Sequence, residues 1–211
     1  MAADLDTVAL STWLREFAGA VKAEKQHLTQ LDSAIGDADH GTNVDRGMTA
    51  VLAALDEAAP SSVGEMFKLV GMTLVSKIGG ASGPLLGTFF LRFGATAGDE
   101  QSIDAARFAA AFRAGLDGVV ARGKAVAGDK TMFDALAPAA DALDAALARG
   151  DDLGSALSEA AAAATAGRDA TTPMLARKGR ASYLGDRSIG HQDPGATSSA
   201  LLVGAAARAL G

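Results

Sequence analysis

The stretch "LDSAIGDADHGTNVDRG", residues 31–47, interrupts an alanine-rich, helix-forming chain with four aspartates, a histidine and three glycines. Gly36 and Gly41 remove the segment between them from regular helix. Apolar residues recur at helical spacing on both sides of this break, which therefore separates two helices. Because short breaks between helices favour antiparallel neighbours, this stretch predicts a fold in which helices run alternately up and down.

Three aspartates of this stretch form a candidate metal site. A locally extended backbone between the two glycines would point the carboxylates of Asp37 and Asp39 the same way. Asp32 lies five residues before Asp37, on what we expect to be the last turn of a helix, and can converge on the same point. Hard divalent cations such as Mg²⁺ take oxygen ligands of this kind. The alternative, which spacing alone leaves open, is that Asp37 and Asp39 cap the following helix and Asp32 is a solvated surface charge.

Helical periodicity extends along the rest of the chain. The predicted helices are Leu10 to Val21, 24–33, 44–58, 62–78, 83–96, one after Ser102 as N-cap, one from Phe133 to Leu147 that Gly150 stops, 151–168 and 195–210. No segment of alternating polarity stands out, and aromatic residues are only 5 % of the chain, so an all-α fold is favoured over α/β. With 211 residues, we expect one domain, residues 1–211.

Charge and composition exclude several classes of function. A net charge of −6 argues against nonspecific binding to nucleic acid. The absence of cysteine excludes disulfides and thiolate metal sites, so any metal must be held by oxygen or imidazole. No secretion signal and no apolar run of the ~20 residues needed to span a bilayer is evident, which predicts a cytoplasmic protein with no membrane partner.

A second break, "GGASGPLLG" at residues 79–87, is typical of a place where backbone approaches an anion closely. Small residues free N–H groups, and a helix starting near Pro84 would add the positive end of its dipole. The spacing is not that of a Walker A loop. A plain turn or a glycine-rich helix contact is the alternative.

A third feature is a long polar stretch, residues 171–199, which carries Arg177, Lys178, Arg180 and Arg187. An arginine brought over a phosphoryl group can neutralise charge in the transition state, and a solvated basic loop is the alternative. His40 and His191 are candidates for a general base, although a lone histidine is more often a hydrogen-bonded structural group.

Four blocks of the sequence resemble a known family. They are "LDSAIGDADHGTNVDRGM" (31–48), "GMTLVSKIGGASGPLLGTFF" (71–90), "RGKAVAGDKTMFDAL" (122–136) and "ARKGRASYLGDRSIGHQDPGATS" (176–198). They resemble the signature blocks of the ADP-binding L subunits of bacterial dihydroxyacetone kinases that are driven by the sugar phosphotransferase system. The resemblance runs from about residue 8 to the C-terminus.

The resemblance implies a barrel of eight antiparallel helices that binds the nucleotide at one end. It implies that Asp32, Asp37 and Asp39 bind two Mg²⁺ ions, and that Arg180 also serves catalysis. The nucleotide-binding residues that it implies are His40, Gly41, Thr42, Asn43, Gly80, Ala81, Ser82, Gly123, Thr131, Met132, Arg180, Asp193, Pro194 and Gly195.

The same resemblance implies an unusual phosphotransfer. ADP would stay bound like a coenzyme, receive a phosphoryl group from a phosphohistidine on an M subunit, and pass it to dihydroxyacetone held on a K subunit. The first alternative is the nucleotide-binding part of an ATP-dependent kinase for dihydroxyacetone or a related polyol or sugar. The second is a noncatalytic, nucleotide-binding regulator of a transcription factor.

Overall fold

The computed structural model describes residues 4–211, and its regular structure is almost entirely helical. The helices are α1 (Thr7–Ile35), α2 (His40–Ala58), α3 (Val63–Lys77), α4 (Ser82–Ala97), α5 (Ala105–Gly123), α6 (Phe133–Arg149), α7 (Leu153–Ala170) and α8 (Pro194–Leu210). A 3-10 helix, Arg180–Ser188, lies between α7 and α8. Two short strands, β1 (Leu5–Asp6) and β2 (Ser102–Ile103), pair antiparallel with Leu5 opposite Ile103. The prediction of an all-α fold is confirmed.

The eight helices form a closed ring. Each packs against the next along the chain, and α8 packs against α1. The N-termini of α2, α4, α6 and α8 border a single cavity with the C-terminus of α1, so these helix ends lie together at one end of the barrel. We call this end the site end, and the opposite end, where β1 and β2 pair, the far end. None of the helices in residues 4–211 is long and apolar enough to cross a membrane.

The few aromatic residues are concentrated in the core. The ring of Trp13 lies within 5.5–6.1 Å of the rings of Phe67, Phe90, Phe93 and Phe108, and all five side chains are fully buried. The indole N–H of Trp13 donates to the carbonyl of Leu202, 3.0 Å away, so its polar atom is satisfied inside the core.

Glycine allows α3 and α4 to approach closely. A Cβ at Gly71 would lie 2.7 Å from the carbonyl oxygen of Gly87, so only a residue without a side chain fits this crossing. Small residues at helix contacts explain how a chain with few large side chains forms a packed core.

Several predicted boundaries are wrong. The separate helix at 24–33 does not exist, because no glycine or proline follows Gly19 within α1 and the helix continues to Ile35. Ser102 does not cap α5: it lies in β2, and Asp104 accepts from the Arg107 N–H at 2.7 Å instead. α2 begins at His40 rather than near 44, and the polar stretch 171–199 includes the 3-10 helix and the start of α8.

Candidate functional site

A cavity of about 280 Å³ opens at the site end. Its walls come from the four connections there: α1 to α2, α3 to α4, α5 to α6, and α7 to α8. Most residues predicted for a site line this one cavity, although they are spread over the whole chain. These are Asp32, Asp37, Asp39, His40, Gly80, Ala81, Ser82, Gly123, Thr131, Met132, Arg180, Asp193, Pro194 and Gly195.

The three predicted carboxylates converge. Asp32, Asp37 and Asp39 each place one oxygen within 4.8 Å of the others, and within residues 4–211 they are the one such group of acidic or histidine side chains. The expected extended backbone is wrong, however. Ala38 lies in the left-handed region with a φ of 62°, and this turn brings its two neighbours together. Non-glycine residues in this region concentrate at functional sites.

Asp32 caps the helix that follows it. Its Oδ2 accepts from the backbone N–H groups of Asp39 at 2.8 Å and His40 at 3.1 Å, and so satisfies the start of α2 from the end of α1. Asp39 occupies the N-cap position but makes no side-chain cap. The geometry therefore favours a cation site over the capping alternative, because the capping is done by Asp32.

The donor set fits a hard divalent cation. All three side chains offer carboxylate oxygens, Asp32 is buried, and bonds from the backbone fix its orientation. Mg²⁺ binds through a few carboxylates and completes its coordination with water and phosphate oxygens. A Cβ at Gly36 would overlap Asp32 Oδ1, so the glycine is required for the carboxylate to lie where it does.

The start of α4 faces the same cavity. Gly80 has a φ of 67°, and the helix begins at Ser82, one residue before the predicted range of 83–96. Its N-cap residue, Ala81, makes no side-chain hydrogen bond. The first N–H groups of α4 are therefore left for a ligand, and together with the helix dipole they favour an anion.

His40 is held at both ring nitrogens. Nδ1 lies 3.0 Å from Ser82 Oγ, and Nε2 lies 3.0 Å from Ser198 Oγ. Burial lowers the pKa of His40, although the charges of Asp32 and Asp39 oppose this effect. The imidazole thus joins the N-terminal parts of α2, α4 and α8, and this geometry favours the structural alternative over a general base. His191, the other candidate base, is exposed.

Three predicted residues do not line the cavity. Gly41 packs against the backbone carbonyl of Lys25 on α1, Thr42 is exposed, and Asn43 Oδ1 accepts from Arg46 at 2.7 Å. All three lie on the first turn of α2, directly after Asp39 in the chain, and none of them faces the cavity.

Two of the four predicted basic residues reach the cavity. Lys178 and Arg180 line it, whereas Arg177 and Arg187 do not. The guanidinium of Arg180 lies 2.9 Å from the carboxylate of Asp37, and 67 % of its side chain is exposed. The polar stretch therefore places one exposed cation directly beside the carboxylate cluster.

Sequence reasoning missed two buried charged residues at the cavity: Lys130, which lines it, and Asp134, which does not. Lys130 is only 1 % exposed and donates to backbone carbonyls of the stretch after α7, while Asp134 accepts from the N–H groups of Gly128 at 2.6 Å and Thr131 at 2.8 Å. Burial raises the pKa of Asp193 to about 7, with the charge of Asp134 adding to the effect. The only signal for Lys130 was its place in a glycine-containing break, since its partners are distant in sequence.

Comparison with known proteins gives consistent results. Residues 34–208 match the DAK2 domain. The chain is 45 % identical to the ADP-binding subunit DhaL of the PEP-dependent dihydroxyacetone kinase of Escherichia coli, covering 92 % of each chain. It is 48 % identical to the DhaL subunit of kinase 1 of Listeria innocua, covering 90 % of each.

A solved structure has the same fold. The dihydroxyacetone kinase of C. freundii in complex with AMP-PNP and Mg²⁺ superimposes with a TM-score of 0.73 at 25 % identity. The match covers 99 % of this chain and 35 % of that one, so the chain spans about a third of the longer kinase.

Proposed function

The chain belongs to the DAK2 domain family, and from this we propose that it is the ADP-binding subunit of a PEP-dependent dihydroxyacetone kinase. It acts as one nucleotide-binding domain, residues 1–211. The observation that carries the proposal is the meeting of three carboxylates and an uncapped helix start in one cavity. Carboxylates hold a cation and the helix start holds an anion, which together suit a metal-bound diphosphate.

Asp32, Asp37 and Asp39 are the residues that would hold Mg²⁺. Three carboxylates can serve two ions by sharing oxygens, and we propose two. Bound Mg²⁺ supplies positive charge that offsets the charge of phosphate oxygens. Asp32 is the fixed ligand because the backbone of residues 39–40 holds it, whereas Asp37 is the exposed ligand at the mouth.

The remaining lining residues divide by chemistry. Gly80, Ala81 and Ser82 present the start of α4 to the phosphates. The apolar side chains of Ile35, Leu85 and Val119, which also line the cavity, suit the base, and we assign Gly123, Thr131 and Met132 to the same contact. Asp193, Pro194 and Gly195 close the cavity from the start of α8. We assign Gly41, Thr42 and Asn43 to the support of the carboxylate cluster.

Arg180 serves the moving phosphoryl group. Its ion pair with Asp37 is exposed, and such a pair stabilises a protein by only about 0–1 kcal/mol. Arg180 can therefore leave Asp37 for a phosphoryl group at little cost in free energy. A guanidinium at the mouth neutralises charge on a phosphoryl group that enters from a phosphohistidine subunit M or leaves toward dihydroxyacetone on a subunit K. No general base is needed from this chain.

The alternative is the nucleotide-binding part of an ATP-dependent kinase. The fold is shared with the C. freundii kinase and does not separate the two. Identity does favour the subunit form, because it is 45 % and 48 % to the DhaL subunits and 36 % to a longer kinase, the D-erythrulose kinase of Mycolicibacterium smegmatis. A purely regulatory role has no comparable support.

Reconstitution tests the proposal. The purified chain is mixed with a dihydroxyacetone-loaded K subunit and either a phosphorylated M subunit or free ATP, and dihydroxyacetone phosphate is measured. We expect product with the M subunit, and bound ADP that survives prolonged dialysis in Mg²⁺. Product with ATP and K alone, together with exchange of ADP within seconds, would establish the ATP-dependent alternative. No product with either donor would overturn the kinase assignment.

A further inference from the structure

We propose that Lys130 is the positioning residue that anchors residues 171–190, here called the anchored segment, on the wall of the cavity and so brings Arg180 to the site. The effect on phosphoryl transfer through Arg180 rests on the proposed function. The anchoring of the segment by Lys130 does not depend on that function. It assigns a role to a buried cation that the phosphotransfer does not otherwise use.

The ammonium group of Lys130 is surrounded by carbonyl oxygens of the anchored segment. It donates to Ser188 at 2.6 Å, Met174 at 3.1 Å and Thr172 at 3.4 Å. Thr172 and Met174 lie where the segment leaves α7, and Ser188 lies at the end of its 3-10 helix. One side chain therefore ties the beginning of the segment to its end.

Neighbouring bonds hold the same segment in the same place. The N–H of Arg177 donates to the carbonyl of Asp129 at 3.1 Å, beside Lys130 in the chain. Within the segment, Ser188 Oγ accepts from the Ala176 N–H at 2.9 Å, and the Gly190 N–H donates to the Thr172 carbonyl at 2.8 Å. These bonds make a loop that is closed on itself and attached to residues 129–130.

The buried ammonium is an effective anchor because its three hydrogen bonds all go to the anchored segment. The side chain of Lys130 is 1 % exposed, and burial lowers its pKa while the nearby charge of Asp193 opposes this. If the segment moved away, the ammonium would lose its three acceptors, and an unpaired charge inside the protein is strongly unfavourable. The cost of displacing the segment is therefore concentrated at this residue.

The anchored segment carries residues that face the ligand. Lys178, Gly179, Arg180 and Ala181 line the cavity, and Ala176 and Ala181 pack on Ile35 at the end of α1. Ile35 lies between Asp32 and Asp37 in the chain. Lys130 thus fixes Arg180 relative to the carboxylates without contacting either, and the 2.9 Å pair between Arg180 and Asp37 is its consequence.

Limited trypsin digestion of the full chain tests the anchor, because Arg177, Lys178, Arg180 and Arg187 offer cleavage sites within the segment. We expect Lys130→Met to be cleaved there at least about tenfold faster than wild type. The matched control is Lys124→Met, an exposed lysine of the same connection that is also at positive φ, 51° against 63°. It is expected to be cleaved at the wild-type rate. Unchanged protection in Lys130→Met would overturn the proposal.

Phosphoryl transfer in the reconstituted system tests the consequence. If Lys130 acts through Arg180, Lys130→Met and Arg180→Ala lose similar factors in kcat and the double variant loses no more. The positioning role would be overturned if the loss in kcat of the double variant were the product of the two single losses. It would also be overturned if Arg180→Ala lost activity and Lys130→Met did not. If Arg180→Ala itself is fully active while the segment of Lys130→Met is cleaved, the anchor stands and the role proposed above for Arg180 fails.

A folding control keeps the test decisive. Circular dichroism establishes whether Lys130→Met retains the helical fold. If it does not, Lys130→Gln, which is shorter and keeps an N–H donor, replaces it and is expected to be cleaved in the anchored segment at an intermediate rate. Full protection of a folded Lys130→Gln protein would contradict the proposal equally.

Discussion

The two ends of the barrel differ in how the N-termini of their helices are capped. At the far end, the N-cap residues of α1, α3, α5 and α7 all have extended backbone, and each side chain accepts from the N–H three residues on. They are Asp6, Ser62, Asp104 and Asp152, with distances of 2.8, 3.2, 2.7 and 2.9 Å. At the site end, Asp39, Ala81 and Met132 precede α2, α4 and α6 without extended backbone and without a side-chain cap.

This difference separates stability from function. Capping side chains satisfy N–H groups that a helix cannot satisfy itself, and each stabilises a protein by about 1 kcal/mol. The far end uses this stabilisation throughout. At the site end Asp32 caps α2 from the end of α1, and the Phe133 N–H of α6 donates to Thr131 Oγ1. Of the site-end helices in residues 4–211, only α4 has no side-chain acceptor at its start, so we expect the oxygens of a bound diphosphate to complete that helix start.

α8 is the exception at the site end, and it gives the largest expected effect. Asp193 caps α8 through Ala196 at 2.7 Å but is buried, whereas the far-end cap Asp152 is exposed. Bonds from the backbone N–H and hydroxyl of Ser155 lower the pKa of Asp152, while burial raises the pKa of Asp193 from 3.8 to about 7. The same cap is therefore independent of pH near neutrality at one end and titrates at the other.

We predict that stability falls as pH rises from about 4 to about 7 through Asp193. In this window the folded protein retains a proton that the unfolded chain releases, so unfolding becomes more favourable with rising pH. Asp193→Asn keeps a capping oxygen and removes the titration. The free energy of unfolding in urea is measured for both proteins across this range. The wild-type loss relative to the variant is expected to reach a few kcal/mol, since one pKa unit corresponds to about 1.4 kcal/mol. Parallel curves would contradict the prediction.

Gly36→Ala tests the site end by displacing the carboxylate of Asp32. The new Cβ would overlap Asp32 Oδ1, so the carboxylate must turn away from its neighbours. We expect ADP affinity in Mg²⁺ to fall about 100-fold, or ~2.7 kcal/mol, by isothermal titration calorimetry. Gly19→Ala is the matched control, because nothing lies within 4 Å of a Cβ there. An equal loss in both variants would mean that the effect is not specific to the carboxylate.

Ala81→Asp places a negative charge where the phosphates are expected. Because Ala81 has a helical φ of −77° and ψ of −26°, the new side chain does not reproduce a far-end cap. We expect repulsion to weaken ADP binding by about 30-fold, or ~2 kcal/mol, with little change in stability. Ala127→Asp, at an exposed position of the α5 to α6 connection that does not line the cavity, controls for net charge. If Ala81→Asp binds ADP with wild-type affinity, the start of α4 does not bind the phosphates.

Asp37→Asn removes one charge from the carboxylate cluster and leaves its shape unchanged. Mg²⁺-dependent ADP affinity is expected to fall at least about tenfold, or ~1.4 kcal/mol. Asp186→Asn removes a charge from the exposed surface of the 3-10 helix, away from the cavity lining, and serves as the control. If Asp37→Asn binds with wild-type affinity, Asp37 is not a metal ligand.

The features that sequence predicted are those with a local signal. Helical spacing of apolar residues located the helices, and the separation of Asp32, Asp37 and Asp39 was enough to predict a cluster. The conformation of Ala38 was not predictable, because alanine has no preference for positive φ and is held there by its surroundings. The prediction of convergence therefore succeeded on a wrong local geometry.

Contacts between distant parts of the chain had no such signal. Lys130 lies 42 to 58 residues from its carbonyl partners, and backbone acceptors leave no pattern in side chains. The same holds for His40, whose serine partners lie 42 and 158 residues away. The resemblance to a family located these segments, but only the fold assigns Lys130 to the segment that carries Arg180.

Asp104→Ala completes the comparison from the far end with the smallest expected effect. It removes the bond to the Arg107 N–H and is expected to lower the free energy of unfolding by about 1 kcal/mol. ADP affinity should not change, since the cap lies at the opposite end of α5 from Gly123 on the cavity wall. Asp117→Ala, an exposed position within α5 that caps nothing, measures the effect of lost charge alone. If Asp104→Ala is fully folded and still binds ADP more weakly, the two ends of the barrel are coupled. The division between a stabilising end and a binding end would then be wrong.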